Sequence, residues 1–368
     1  MPKILAINNT IFYESKNKLF LNKETGIFFL RLNELGNDVS VFQISQIRTK
    51  KDSFANFLIS DKGLKIYEVK RENNRLLAFI KSFFIIQKAI LKNDFVYIFY
   101  PGPICLIIAL LSIIYRKPYG LYVRGEQGIF TNLSIKIFKK AQIIFTISPK
   151  FTNLISNYNN NTNTIRPMIA LSESDIKTKK SINSDKTVNL LYVGRLVYDK
   201  GIFELVDAVK KLIEDNYKVH LNLVGDGTDY EKLKSKVKSQ NLQEVVNFTG
   251  MISDKNKLID VYKKSEIFVL PTYHEGFPRV LYEAMIMGIP IVTTFVGSID
   301  YLMKKEINCL EIKVRDIDSI VFALKRLIDK PKLANDLTEK ARKTVINYLS
   351  DKKRNHEEHL NHFIKTIS

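Results

Sequence analysis

Four side chains in the second half of the sequence are of types that do chemistry together: Glu275 and Glu283, with seven residues between them, and Arg195 and Lys200. A guanidinium offers forked hydrogen bonds to phosphate oxygens, and an ammonium offers a compact charge. Arg195 and Lys200 are therefore suited to hold a diphosphate and to stabilise charge growing on it as it leaves. A carboxylate repels phosphate but accepts hydrogen bonds from hydroxyls, so Glu275 and Glu283 suit a ribose diol or a sugar. Structural duties compete with each assignment. Glu275 is also placed to cap a helix, and Glu283 to pair with Arg279 one turn away. Arg195 has Asp199 close by in sequence, and Lys200 needs no partner where it is solvated.

The elements that must position these residues are legible around them. Residues 267–270 form a short apolar strand that Pro271 ends. A polar turn then carries Glu275, Gly276 and Phe277. Pro278 suits a first helical position, since its φ is fixed and its missing N–H is not needed there. Val280, Leu281, Ala284 and Met285 give the helix 278–287 an apolar face, with Glu283 at its margin. Gly288 and Pro290 stop it. Such a strand–turn–helix junction exposes free N–H groups at the positive end of a helix dipole, a ready phosphate site. Gly194 and Arg195 follow a strand over 188–193, and Lys200 precedes a helix over 202–213. Gly225-Asp226-Gly227 end a strand over 219–224, either for close backbone approach to a ligand or as a tight turn capped by Asp226. Thr249, Gly250 and Met251 follow a strand over 245–248 and are placed to present backbone to a nucleobase. Asp316 and Asp318 look like a metal-holding acidic pair, but they precede an apolar helix and are read as its cap. The sequence contains no His/Cys metal spacing, no Gly-x-Ser-x-Gly elbow and no Walker phosphate loop, and no metal site is expected.

The same alternation runs through the first half. Strands are expected over 3–8, 39–44, 64–69, 95–99, 119–123, 143–147 and 164–166, with a polar loop after the first of them to about Lys18. Helices are expected over 23–35, 75–91 and 104–115. This predicts an α/β protein of two doubly wound parallel-sheet, Rossmann-like domains. Their boundaries are read as 1–172, a polar linker over 173–187, 188–348, and a last helix within 349–368. A length of 368 residues suits two domains.

The formal net charge is +19, and residues 1–180 carry 27 Lys and Arg against 12 Asp and Glu, so +15 of it lies there. That asymmetry suggests an anionic membrane, a nucleic acid or an acidic ligand for the first half, or solvated lysines of a lysine-rich proteome. Aromatic-rich nucleic-acid signatures are absent, so no nucleic acid is expected as a partner. The best membrane candidate is the helix 75–92. Its apolar face is read as Leu76, Leu77, Ile80, Phe83, Phe84 and Ile90, flanked by Lys81, Lys88 and Lys92. Packing on a sheet is the alternative. Cys105 and Cys309, both in apolar runs, make no disulfide framework. Met1-Pro2-Lys3 leads straight into a strand, and a cytoplasmic location is expected.

Several separate pieces, taken together, resemble one family. Gly194-Arg195 followed by Lys200-Gly201, Val224-Gly225-Asp226-Gly227, Phe248-Thr249-Gly250, and Glu275-Gly276-Phe277-Pro278 followed by Glu283-Ala284 are similar, in order and spacing, to the retaining glycosyltransferases of family four, also called group 1. The resemblance is strongest over about 188–310. It implies the GT-B fold, two Rossmann-like domains facing across a cleft, with the last helix crossing back onto the first. It implies that Glu275, Arg195 and Lys200 are catalytic, with Arg195 and Lys200 on the donor diphosphate. Glu283 would hold the ribose hydroxyls, Glu275 would face the donor sugar, and the backbone of Gly276 and Phe277 would lie against sugar or phosphate. The implied donor is a nucleotide sugar, a UDP-sugar or GDP-sugar, used with retention and with no metal or other cofactor. The implied acceptor is a lipid-linked or oligosaccharide hydroxyl in surface polysaccharide assembly, such as lipopolysaccharide or capsule, met peripherally at the cytoplasmic face of the inner membrane. Arg124-Gly125-Glu126 resembles the family's acceptor-side loop. Two departures stand out: Asn8-Asn9-Thr10 replaces the glycine-rich loop many members carry after the first strand, and Asn308-Cys309 replaces a usual Asn-Gly. A sugar-nucleotide epimerase or phosphorylase on the same fold, or a non-catalytic basic membrane- or nucleic-acid-binding module, are the competing readings.

Overall fold

A computed structural model describes residues 1–49, 55–71, 75–124, 129–166, 168–169, 171–176, 182, 186–276, 278–350 and 355–367. The chain divides into two units, Met1–Met168 with Asp351–Ser368, and Ile169–Ser350.

Unit 1 is built on a sheet whose centre is β7 (Phe95–Tyr100), six residues all buried. It pairs in parallel with β1 (Lys3–Ile7) and β8 (Tyr119–Val123). A strand apolar on both faces is what a parallel sheet covered on both sides requires. Beyond β8 come β9 (Ile143–Thr146) and β10 (Thr162–Thr164), and beyond β1 come β4 (Asp38–Ile47) and β6 (Lys65–Lys70). The loop expected as far as Lys18 is instead a hairpin, β2 (Phe12–Ser15) and β3 (Lys18–Leu21), with β5 (Phe57–Leu58) added at its edge. Lys16 and Asn17 turn it with φ of 50° and 59°. That is a two-residue primed turn, but without the Asn-Gly or Asp-Gly pair that announces one in sequence.

The helices of unit 1 follow from strand order. The chain moves one way from β1 to β4 and the other way from β6 through β7, β8 and β9 to β10. Right-handed crossovers therefore put α1 (Lys23–Glu34) on one face. They put α2 (Arg75–Lys92), α3 (Pro103–Ile114), α4 (Asn132–Lys140) and α5 (Pro149–Ser156) on the other. Accordingly α2 packs beside α3, and α3 beside α4. The α1 face would be left half bare, and the end of the chain covers it. A helix within 355–367, His356–Ile367, packs beside α1. There Asn37 Nδ2 donates to Asn361 Oδ1 at 2.9 Å, and Phe95 and Phe363 meet edge to face.

Unit 2 is an all-parallel sheet of six strands: β11 (Val188–Val193), β12 (Val219–Val224), β13 (Val246–Gly250), β14 (Ile267–Leu270), β15 (Ile291–Thr293) and β16 (Leu310–Glu311). Their order in space is β13-β12-β11-β14-β15-β16. The strand order reverses between β11 and β14, and in such a sheet ligands bind beyond the carboxyl ends at that reversal. Intervening helices are α6 (Ile202–Glu214), α7 (Tyr230–Ser239), α8 (Lys255–Lys264), α9 (Arg279–Ile286) and α10 (Ile299–Leu302). Two more, α11 (Ile317–Asp329) and α12 (Pro331–Ser350), complete the cover; the terminal helix of unit 1 is α13. The described part of 173–187 is docked on unit 2 rather than standing free. Ile182 is buried in its core, as is the preceding Leu171, and Asp175 pairs with Lys255 at 2.7 Å.

Candidate functional site

Gly194, Arg195, Lys200, Gly225, Asp226, Gly227, Thr249, Gly250, Met251, Glu275 and Gly276 lie at or beyond the carboxyl ends of β11, β12, β13 and β14, whereas Glu283 stands on α9 and Asp316 and Asp318 at the start of α11. Glycines let the loop tips interlock. A Cβ on Gly225, at φ +143°, would sit 1.8 Å from the carbonyl oxygen of Gly194. Backbone bonds stitch the same tips: Gly194 N–H donates to Val224 O at 3.0 Å, Leu196 N–H to Asp226 O at 2.9 Å, and Gly225 N–H to Gly250 O at 2.9 Å. The close approach expected of Gly225 is thus to the neighbouring loop. Asp226 accepts from Gly227 N–H at 2.7 Å, which fits its turn-capping alternative.

At the switch point itself Lys200 meets Glu275. The Lys200 ammonium is buried, and it donates to Glu275 Oε2 at 2.7 Å, His274 O at 2.9 Å and Thr272 Oγ1 at 3.3 Å. Three acceptors take its three hydrogens. The solvated alternative for Lys200 is excluded, and Glu275 serves as its counter-ion. Gly201 turns the chain from Lys200 into α6 at φ +67°, and a Cβ there would stand 2.1 Å from Pro271 O. The carbonyl of Glu275 is approached just as closely by Gly297. The loop 271–276 is therefore pinned from three sides: by Lys200, by Gly201 and by Gly297.

Arg195 differs. It is exposed, and its backbone carbonyl accepts from Tyr192 Oη at 2.8 Å, which fixes the loop while the guanidinium points outward. Burial, followed by the nearby Glu275 charge, pushes the Tyr192 phenol well up, so it stays a donor. Asp199 uses its backbone oxygen to receive Tyr273 N–H at 2.8 Å.

Glu283 lies inside rather than at the margin of the α9 stripe. It is 8% exposed, and Tyr262 Oη on α8 donates to its Oε2 at 3.1 Å, while Arg279 is exposed. Burial and the Glu283 charge hold the Tyr262 phenol well above its ordinary range. Pro278 stands at the N-cap of α9 rather than at its first turn, with ψ 78°. Thr249 and Met251 are exposed at the end of β13, and Gly250 has φ +73° with open space around its missing Cβ. Phe277 lies outside the described residues, as do Gly125 and Glu126. Arg124, in unit 1, is half-buried with its guanidinium over the rings of Phe99 and Tyr122 at 5.4 and 5.5 Å. Asp316 caps α11, accepting from Ser319 N–H at 2.9 Å, and Asp318 pairs with Lys211 at the surface.

Sequence reasoning missed Thr272, Tyr262 and Gly297. Thr272 carried a weak signal as a hydroxyl two residues past a strand end. Tyr262 and Gly297 carried none.

Residues 173–344 match the model of the glycosyl transferases group 1 family. Among relatives, TuaC of Bacillus subtilis, named for teichuronic acid biosynthesis, is 29% identical over 251 residues, 63% of this chain and 61% of its own. The UDP-Gal:alpha-D-GlcNAc-diphosphoundecaprenol alpha-1,3-galactosyltransferase of Escherichia coli is 30% identical over 182 residues, 48% of this chain and 46% of its own. The chain thus spans less than two thirds of the length of these relatives. A solved structure of Anabaena HepE in complex with UDP and glucose superposes over 100% of this chain and 99% of that one, with a TM-score of 0.72 and 15% identity, a likeness of fold. The fold is accordingly that of the GT-B glycosyltransferases: mixed α/β, with two parallel-sheet domains.

Proposed function

We propose, for a chain whose residues 173–344 belong to the group 1 glycosyl transferases, that it moves a sugar from a nucleotide-sugar donor to a hydroxyl of a saccharide acceptor with retention at the anomeric carbon. The observation that carries this reading is the Lys200–Glu275 pair at the switch point of unit 2, with exposed Arg195 on the same strand end. A sugar diphosphate needs cations at its phosphates and a hydroxyl acceptor at its sugar. Glu275 supplies the hydroxyl acceptor, Lys200, its three hydrogens engaged by protein acceptors, supplies a buried positive charge beside the phosphates, and exposed Arg195 supplies the donors to them. Glu283, oriented by Tyr262, suits the ribose diol, and Thr249, Gly250 and Met251 suit the base.

In the proposed reaction the acceptor oxygen bonds to the anomeric carbon on the face from which the diphosphate departs. The carbon–oxygen bond to the diphosphate breaks, its electron pair passing to the phosphate. The acceptor's proton goes to a departing phosphate oxygen. Lys200 and Arg195 stabilise the charge that develops there, work that needs no metal. Preorganised donors of this kind are each worth roughly 10²–10³ in turnover. A UDP-sugar or GDP-sugar is the proposed donor. A lipid-linked saccharide in surface polysaccharide assembly is the proposed acceptor, in keeping with what the Escherichia coli relative is named for. The enzyme would meet it as a peripheral protein at the cytoplasmic face of a membrane.

A thermal-shift panel of nucleotide sugars tests the donor assignment. At a hundredfold excess over Kd a ligand stabilises the chain by about 2.7 kcal/mol, a readily measured shift. One base class is expected to stabilise the wild type and to lose that effect in Arg195→Ala. No response to any nucleotide sugar would contradict the proposal.

A further inference from the structure

We infer that Tyr273 and Glu204 are positioning residues for the transfer step: their hydrogen bond ties the loop 271–276 to the first turn of α6 and so holds the Glu275 carboxylate at the donor sugar. This deepens the transferase reading and rests on it.

The loop that carries Glu275 is bonded to the segment 199–204 in two ways. One is through Lys200, which donates to Thr272, to the His274 carbonyl and to Glu275 itself. Tyr273, between Thr272 and His274, sends its side chain to Glu204 instead. Its hydroxyl donates to Glu204 Oε1, and its backbone N–H donates to Asp199 O at 2.8 Å. The ring is buried, with the Arg315 guanidinium 4.8 Å from its centroid and Tyr198 packed edge to face at 5.6 Å. Arg315 takes a left-handed φ of 58° just before Asp316, the N-cap of α11. The phenol is thus gripped from α6, from the turn that precedes α6, and from the turn that precedes α11.

Two features set this bond apart from ordinary packing. The first is its strength. A hydroxyl that donates to a carboxylate makes a charge-assisted bond, stronger than one between neutral groups. Glu204 stands in the first turn of α6, where the positive end of the helix dipole favours its charge. Burial first, then the bond to Glu204, pushes the Tyr273 phenol well up, so it stays a donor. The second feature is independence of Lys200. In the proposed reaction Lys200 has another duty, since its charge answers the charge that grows on the departing phosphate. The Tyr273–Glu204 bond fixes the loop two residues before Glu275 without drawing on Lys200. Misplacing a group at the reacting centre by about 1 Å costs roughly a hundredfold in rate. An anchor this near Glu275 therefore bears on turnover as well as on the fold.

The test compares Tyr273→Phe, Glu204→Ala, the double variant and Glu204→Gln with the wild type. It uses the nucleotide sugar chosen by thermal shift with a lipid-linked saccharide, and reads kcat, the Kd of the matching nucleoside diphosphate, and melting temperature. Tyr217→Phe is the control: it deletes another hydroxyl–carboxylate bond, to Asp329 Oδ2 at 2.8 Å, beyond the far end of α6. Tyr273→Phe and Glu204→Ala should each lower kcat by roughly 10–100-fold. The double variant should lose no more, because all three lack the same bond. Glu204→Gln keeps an oxygen to accept from Tyr273 and should recover most of kcat. Nucleoside diphosphate Kd should hold throughout, since Arg195 and the residues Thr249, Gly250 and Met251 are untouched. Tyr217→Phe should lower melting temperature but leave kcat as in the wild type. Wild-type kcat in either single variant, a Gln variant as slow as the Ala variant, or losses that add in the double variant would each overturn the inference. So would an equal loss of nucleoside diphosphate affinity, or an equal loss of kcat in Tyr217→Phe. A wild type that binds nucleoside diphosphate but turns over no nucleotide sugar would instead fail the transferase reading, and this inference with it.

Discussion

At the end of β11 two cations meet unlike surroundings. Lys200 is buried against Glu275, Thr272 and the His274 carbonyl, while Arg195 is exposed. Arg195→Ala should therefore leave the melting temperature almost unchanged, as exposed substitutions do, and lower turnover by roughly 10²–10³. Lys200→Ala should cost a similar factor and also destabilise unit 2, because Glu275 is left half-buried without its counter-ion. Adding Glu275→Ala should restore melting but not turnover; recovery of both, or near-normal turnover in either single variant, would remove the diphosphate assignment. Tyr262→Phe deletes the hydroxyl that orients Glu283. The expected result is a donor KM raised about tenfold, the worth of one hydrogen bond to a charged group, with kcat little changed and a reduced preference for ribose over 2′-deoxyribose donors. An unchanged KM and preference would mean Tyr262 serves packing alone. The charged residues were legible because their types and their places after strand ends are local facts. Their contact was not: Lys200 and Glu275 are 75 positions apart and meet only because β14 lies next to β11. Tyr262 reads in sequence as one more apolar position on an amphipathic helix.

Among the elements, the loop tips and α13 carry the sharpest expectations. Gly225→Ala would drive a methyl group into the Gly194 carbonyl at a left-handed φ, so unit 2 should lose at least roughly 1–3 kcal/mol, the usual cost of overpacking. A melting temperature equal to wild type would show that the two loops are not locked. On α13, His356 is 2% exposed among Phe28, Tyr97, Tyr122 and Phe145, with Tyr97 Oη hydrogen-bonded to Nε2. Burial first, then the charges of Arg124 and His359, hold its pKa well below 6.5. It is neutral in the fold, whereas in the unfolded chain it gains a proton below about pH 6.5. Stability is therefore complete above that pH and falls as pH drops beneath it, by up to about 1.4 kcal/mol per pH unit. Glu357, raised by burial, works in the opposite sense nearer the carboxylate range. Melting followed from about pH 7.5 to 5.5 should slope downward in the wild type and flatten in His356→Phe; parallel slopes would exclude His356 as the cause. Strands and helices of normal length were legible from periodicity. The β2–β3 hairpin was not, since four-residue strands joined by Lys-Asn carry neither clear alternation nor a turn signature.

On the scale of the whole molecule, alternating apolar strands and amphipathic helices announced two parallel-sheet domains, and right-handed connection fixes which face each helix covers once the order of strands is known. What alternation does not encode is the reversal between β11 and β14, which is where the candidate donor site sits, nor the gathering of four helices without Asp or Glu, α2 to α5, on one side of unit 1. The central claim is sugar transfer from a nucleotide donor. Its most direct test supplies the purified chain with the nucleotide sugar chosen by thermal shift and a lipid-linked saccharide, follows nucleoside diphosphate release, and reads the new linkage by proton NMR. The account predicts release that requires the acceptor, persists in excess chelator, and yields a linkage with the donor's anomeric configuration. Release indifferent to the acceptor, or a linkage of inverted configuration, would contradict it.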